Sequence, residues 1–283
     1  MAVIHKYLRP TKKYPHVWCA GCTNGIVLNA VTRAIEKLAL QRNNIVMVSG
    51  IGCSSRAPVY VDFNTLHTTH GRALPFATGI KLAKPHLHVI VITGDGDALA
   101  IGGNHFIHTC KRNIDLTIIV FNNYNYGMTG GQKSPTTPTG ARTSTTPYGA
   151  IDPPMDVCNI SLGAGATFVA RTTAYHVRPM ENIIARAINH KGCSVVEVRS
   201  NCPIIFGRMN RMGDAAKMLL WFKENSIALE SLKKLPAEEQ ERISQEKTVV
   251  GIFREDTSVQ EFTERYQEMW DRIALGKERR TLE

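Results

Sequence analysis

The 283 residues, 43% of them hydrophobic, can bury the core of one α/β domain with an extension, or at most two small domains. No stretch approaches the roughly 20 uninterrupted apolar residues of a membrane span, and the polar, basic N-terminus lacks an apolar signal core, so a membrane protein is excluded and a cytoplasmic one expected. The formal charge is +10, and its surplus sits on residues 1–206, with 20 Lys/Arg against 9 Asp/Glu, while residues 207–283 hold 14 against 15; this favours anionic ligands or an acidic protein partner, and without any helix-turn-helix, zinc-finger or aromatic RNA-binding signature nucleic acid is not an expected partner.

In chain order, the pair Cys19-Ala20-Gly21-Cys22 precedes a helix over 25–40, whose apolar residues Ile26, Val27, Ala30, Val31, Ala34, Ile35 and Leu38 recur at helical spacing. A β-branched strand, 44–49, ends at Gly52-Cys53-Ser54-Ser55-Arg56. A second, 87–93, leads into Gly94-Asp95-Gly96-Asp97, and a third, 116–121, into Asn122-Asn123-Tyr124-Asn125. Residues 129–154 are rich in Gly, Pro, Ser and Thr without apolar period; a loop that long inside a domain predicts a cover over a site. Strands 167–171 and 194–199 follow, the last running into Asn201-Cys202-Pro203, and after Gly207 the pattern turns to charged helices. Near-continuous apolar strands alternating with helices predict an α/β fold: a doubly wound, mainly parallel sheet over 1–206 with a helical C-terminal extension, 207–283.

In a parallel sheet the segments after the second and third strands converge at the carboxyl rim. Asp95 offers an anionic oxygen, Asn123 a neutral one and Asn125 its backbone carbonyl, a donor set suited to magnesium that also binds phosphate oxygens. Gly94 and Gly96 let the backbone approach a phosphate, and Thr129 with its glycines can add hydrogen bonds. A strand-to-helix turn alone explains GDG; followed some 25 residues later by paired asparagines, it resembles the thiamine-diphosphate motif.

Cys53 and Cys202 follow strands and so share that rim with the pair Cys19/Cys22. Four thiolates of this spacing fit either a four-cysteine zinc site or an iron–sulfur cluster. Only one CxxC pair exists, beside a cofactor that generates electrons, which favours the cluster. Cys193 begins its strand, at the wrong edge, and Cys110 and Cys158 fall in apolar helical patterns as buried thiols.

Together the segments WCAGCTNG, GIGCSSR, HTTHGRALPFATG, GDGDALAIGGNHF, NNYNYGMTGGQ and EVRSNCPIIFGRMNRMG, spanning 16 to about 212, resemble the β subunits of 2-oxoacid:ferredoxin oxidoreductases. The resemblance implies CoA-dependent oxidative decarboxylation of a 2-oxoacid, with electrons leaving through one four-iron four-sulfur cluster on Cys19, Cys22, Cys53 and Cys202 to ferredoxin. It implies magnesium–thiamine diphosphate on Asp95, Asn123 and Asn125, and cofactor contacts from Gly52, Cys53, Ser54, His70, Gly94, Asp95, Gly96, Asp97, Asn123, Asn125, Gly127, Met128 and Thr129. His70 and Arg72 match a segment beside the cofactor and are expected in catalysis; Arg56 falls where the family sets a base for the substrate carboxylate. The phrase GRMNRMG is most similar to the 2-oxoglutarate members, with pyruvate and branched-chain 2-oxoacids as alternatives. The glutamate that activates thiamine is expected on an α subunit, in a heterotetramer of two α and two β. The competing expectations are a non-redox thiamine-dependent lyase with structural zinc, and a basic nucleic-acid module, which leaves GDGD and the asparagines unexplained.

Overall fold

The computed structural model describes residues 3–12 and 15–274; the end of the extension predicted to reach 283 lies outside them. In chain order the elements are α1 (Val3–Tyr7), α2 (Asn24–Lys37), β1 (Ile45–Ser49), β2 (Asn64–His67), α3 (Ala73–Ala83), β3 (His88–Gly94), α4 (Gly103–Arg112), β4 (Thr117–Asn122), β5 (Asn125–Tyr126), β6 (Gln132–Lys133), α5 (Val157–Ala164), β7 (Phe168–Thr173), α6 (Val177–Asn189), β8 (Ser194–Arg199), α7 (Ala215–Glu224), β9 (Ser226–Ala228), α8 (Leu229–Leu232), α9 (Ala237–Glu246), β10 (Thr248–Glu255) and α10 (Phe262–Ala274). Eight strands form one sheet in the order β2-β1-β3-β4-β8-β7-β10-β9, and β5 pairs with β6 apart from it. From β2 across to β7 every pairing is parallel; β10 joins β7 antiparallel.

Burial at every position of β1, β4 and β7 explains their continuous apolar runs, because helices cover both faces of the sheet. Alternate residues divide between the faces: Met47, Ile90, Ile92, Ile119 and Phe121 share a core with Val27 and Val31 of α2 and Met180 and Ile184 of α6. Val48, Val89, Val91, Ile118 and Val120 pack with Leu74 of α3, Phe106 of α4 and Cys158 of α5. The five predicted strands appear as β1, β3, β4, β7 and β8. The first helix stops at Lys37 rather than 40, where Ala39 turns to a φ of 50°.

The extension is helical in α7–α10 but also carries β9 and β10, and β10 gives the parallel sheet an antiparallel edge. The predicted loop holds only the two residues of β6 and a Thr143–Thr146 bridge as regular structure, and is tied by Gly140 N–H to the Ala150 carbonyl (2.7 Å) and Ala150 N–H to that of Ala141 (2.8 Å). Among the described residues no helix is long and apolar enough to cross a membrane.

A buried ionic network pins the strand ends beneath the loop. Arg171 Nε of β7 donates to Glu197 Oε2 of β8 at 2.5 Å, with side chains 8% and 1% exposed. Arg171 also reaches Asp156, which accepts from the Asn159 N–H at the start of α5, while Glu197 Oε1 accepts from Asn122 Nδ2 at the end of β4 (2.7 Å). Burial works to raise the Glu197 carboxyl; the charges of Arg171 and Arg199, with hydrogen bonds from Arg171 and Asn122, overcome it and hold it at about 2. Replacing Arg171 with Met leaves a buried carboxylate short of its main partner and should cost about 3–5 kcal/mol in denaturant unfolding at neutral pH. Since the folded value lies below the ordinary 4.5, the stabilisation is complete above that range and is lost as pH falls through it toward about 2. Unfolding midpoints that stay constant down that range would remove the network from the stability account.

Candidate functional site

Parallel strands all end on one side, so the segments after β1, β3, β4 and β8 meet at a single rim. One hollow there is lined by all thirteen candidate cofactor residues: Gly52, Cys53, Ser54, His70, Gly94, Asp95, Gly96, Asp97, Asn123, Asn125, Gly127, Met128 and Thr129.

The two carboxylates of the hollow are held differently. Asp95, 2% exposed, accepts at Oδ2 from Ser134 Oγ (2.5 Å) and Thr136 Oγ1 (2.7 Å), both in the long loop. Burial still wins over these donors and pushes its carboxyl up to about 6, as for an anion short of positive charge. Asp97 is saturated: Oδ1 accepts from the Gly71 and Ile51 N–H groups (2.7 and 3.2 Å) and pairs with His70 Nδ1 (2.5 Å), and Oδ2 accepts from Thr93 Oγ1 (2.7 Å). Gly50 is required beside it, because a Cβ there would stand 2.1 Å from Asp97 Oδ2. Asp97 therefore serves the site by positioning: it fixes His70 through Nδ1 and leaves Nε2 as the nitrogen available to a ligand.

Asn123 Oδ1 accepts weakly from the Asn125 N–H (3.4 Å), and the Asn125 carbonyl accepts from Gly127 N–H (3.1 Å), so both oxygens keep capacity for a cation. Thr129 instead bonds locally, its hydroxyl donating to Gln132 Oε1 at 2.6 Å. Asn125 Oδ1, Ser54 Oγ and both polar atoms of Asn24 are buried without any hydrogen-bond partner. Unmet donors and acceptors around one hollow fit a magnesium-bound diphosphate, which brings phosphate oxygens to the donors and a cation to the acceptors.

A second hollow is lined by Cys19, Cys22, Cys53 and Cys202, with Trp18, Arg56 and Ile204. It shares Cys53, Asn123, Gly127 and Met128 with the first, so the two have a common wall. At that wall a Cβ on Gly127 would stand 3.5 Å from Cys53 Sγ, 3.6 Å from Cys202 Sγ and 3.5 Å from Asn125 Oδ1. Burial pushes the Cys22 thiol up to about 12, with Cys202, Cys53 and Cys19 adding repulsion against a hydrogen bond from the Asn24 backbone. Cys53 rises to about 11, again by burial first and then by Cys202 and Cys19. Four thiols that line one hollow and repel one another's ionised forms would ionise together only with a positive centre among them, a donor set that fits a cluster of several metal ions. Among the described residues no three His, Cys, Asp or Glu side chains are grouped to hold a single metal ion.

The remaining expectations divide. Arg56 is half-buried at the second hollow and has no ion-pair partner among the described residues. Arg72, expected in catalysis, is not among the residues lining the hollow; its guanidinium donates to the Ile101 and Gly71 carbonyls (3.0 and 3.3 Å) and braces the turn carrying His70. Cys110, Cys158 and Cys193 are buried in the core, the Cys193 and Cys110 sulfurs 3.8 Å apart at the far side of the sheet. Sequence reasoning missed Ser134, Thr136 and Asn24. The first two are hidden in a loop full of hydroxyls, and Asn24 looked like the opening of a helix.

Residues 50–198 match the family model described as "Thiamine pyrophosphate enzyme, C-terminal TPP binding domain". The chain is 49% identical over 268 residues to the 2-oxoglutarate synthase subunit KorB of Methanocaldococcus jannaschii, covering 95% of this chain and 97% of that one. It is 48% identical to the KorB subunit of Archaeoglobus fulgidus, with 96% of each covered. Among solved structures, a 2-oxoglutarate:ferredoxin oxidoreductase from Magnetococcus marinus with 2-oxoglutarate, coenzyme A and succinyl-CoA bound aligns with a TM-score of 0.83 at 30% identity, over 96% of this chain and 90% of that one. With the fold, the lining of the hollow and the relatives in agreement, the chain belongs to the β-subunit family of the 2-oxoacid:ferredoxin oxidoreductases.

Proposed function

We propose that this chain is the β subunit of a 2-oxoglutarate:ferredoxin oxidoreductase, binding magnesium–thiamine diphosphate in the first hollow and a four-iron four-sulfur cluster on Cys19, Cys22, Cys53 and Cys202. The observation that carries this is the common wall of Cys53, Asn123, Gly127 and Met128, which sets a sulfur cage directly against a site for a cofactor that releases electrons. When bound, thiamine diphosphate supplies the electron sink for decarboxylating a 2-oxoacid.

The chain's own residues then have distinct tasks. Asp95, Asn123 and the Asn125 carbonyl would hold the magnesium, with Ser134 and Thr136 fixing the rotamer of Asp95. His70, anchored on Asp97, keeps Nε2 for a proton or a phosphate oxygen. Arg56, an unpaired guanidinium beside the cage, would grip a substrate carboxylate through two parallel bonds, and the names of the relatives point to 2-oxoglutarate.

Asp95 and Asp97 are the two carboxylates lining the hollow, one committed to the metal and one to His70. Neither is left to activate the aminopyrimidine of the cofactor, so we assign that carboxylate to an α subunit, in a heterotetramer of two α and two β. Coenzyme A is then the acyl acceptor and ferredoxin the electron acceptor.

The co-expressed complex, purified without oxygen, should contain iron and acid-labile sulfide and reduce ferredoxin with 2-oxoglutarate and coenzyme A, while the β chain alone reduces nothing. Zinc in place of iron, or full activity of the isolated chain, would sink the proposal. Asp95→Ala should abolish magnesium-dependent retention of thiamine diphosphate. The double variant Ser134→Ala with Thr136→Val should weaken magnesium binding by about 10- to 100-fold, measured by titration of the complex. Arg56→Ala should lower kcat/KM for 2-oxoglutarate by about 10- to 100-fold, the worth of a charged hydrogen-bonded pair; an unmoved value transfers carboxylate binding to another residue.

A further inference from the structure

We infer that Thr23 and Asn201 are positioning residues that close the CxxC loop onto the Cys202 segment and hold the sulfur cage in shape before metal enters it. The inference rests on the proposed cluster and names the device that retains it. Thr23 follows Cys22 and Asn201 precedes Cys202, 178 residues apart along the chain. The Thr23 N–H donates to Asn201 Oδ1 (3.1 Å) and the Asn201 N–H donates to Thr23 Oγ1 (3.0 Å), a reciprocal pair between residues 2% and 1% exposed.

Thr23 stands at the N-cap of α2, where its hydroxyl would ordinarily accept from a first-turn N–H, yet it makes no capping bond. The hydroxyl is turned instead across the sheet rim to the other cysteine segment. Asn201 Nδ2 extends the contact to the Ala215 carbonyl (3.4 Å). Gly21, at φ +78°, lies so close to the same segment that a Cβ there would stand 2.4 Å from Ala215 Cβ. The third segment is bound by Trp18 Nε1, which donates to the Cys53 carbonyl at 2.7 Å. In each of these bonds a backbone group of one segment is tied to a side chain of another beside the ligands, and the spacing of the thiols is set by protein bonds. A cage held this way loses metal slowly, because releasing a sulfur does not let its segment swing away.

The test is the rate at which a ferrous chelator strips iron from the anaerobically purified complex. Thr23→Val deletes the hydroxyl acceptor at nearly constant shape and leaves the buried Asn201 N–H unmet; it should speed iron loss about tenfold, whereas Thr23→Ser should stay within about twofold of wild type. Asn201→Ala, which removes the other arm, should behave as Thr23→Val does and serves if that variant does not fold. The metal-free complex should stay folded in both Thr23 variants, with the melting temperature of Thr23→Val lower than that of Thr23→Ser by no more than the loss of one buried hydrogen bond accounts for. Unchanged iron loss in Thr23→Val and Asn201→Ala overturns the inference. So does an equal rise in Thr23→Ser, which would indicate packing, or a fall in metal-free melting temperature larger than one buried hydrogen bond accounts for, which would indicate general unfolding. A wild-type complex without iron and sulfide overturns the cluster assignment itself, and shows it before any variant is compared.

Discussion

A carboxylate taken out of water must be met by donors or by a cation, and the layout of this site follows from how the chain meets two of them. Asp95 and Asp97 are neighbours in one turn after β3, and both are buried. Asp97 receives donors from three separate segments, the turn after β1, the turn before α3 and the end of β3, and so welds them into one wall. Asp95 receives hydroxyls from the long loop, and burial nonetheless leaves its carboxyl well above its ordinary range. One anion is spent on architecture and the other keeps an electrostatic deficit. A divalent cation at Asp95, as proposed, would cure that deficit and turn the wall into a diphosphate site. The loop gains its role by the same logic: Ser134 and Thr136 anchor it to the anion it helps to orient.

The parts of this arrangement that a sequence can carry are those in which spacing and chemistry coincide. The strands were legible because a sheet covered on both faces forces continuous β-branched runs, as in β1 and β4. Asp95 and Asn123 were legible because parallel topology fixes where such turns go, and the cysteines because all four flank predicted elements at the same rim. What stayed hidden depends on geometry alone. The sequence pattern of β2 and β10 is half-exposed and lacks the alternation that marks a strand. Asp95 and Asp97 look alike in GDGD, and only the folded chain shows Asp97 saturated by donors from three segments and Asp95 held by two hydroxyls of the loop. Arg72 has the right type and a motif to recommend it, yet two backbone carbonyls claim its guanidinium. Ser134 and Thr136 cannot be told from the hydroxyls around them until the loop is folded back.

The cysteine cage has a further consequence for how the molecule is assembled. In a zinc knuckle the ligands are close in sequence, so the metal can gather them and its binding energy becomes folding energy. Only Cys19 and Cys22 are local in this chain; Cys53 lies beyond α2 and β1, and Cys202 beyond β8, the sixth of the sheet's eight strands in chain order. Gathering them from an unfolded chain would require closing loops across most of the domain. The entropy of that grows only by about 0.6 kcal/mol per doubling of length, but nothing in the intervening chain is ordered to repay it until the strands pair. The parallel sheet must therefore form first, since it alone brings the three segments to one edge. A metal cluster of the proposed kind would then enter a site whose walls are already hydrogen-bonded, and its binding energy would raise the stability of the rim more than that of the core. Asn24, Ser54 and Asn125, whose buried polar atoms have no hydrogen-bond partner, line the first hollow, at the rim that only the finished sheet assembles.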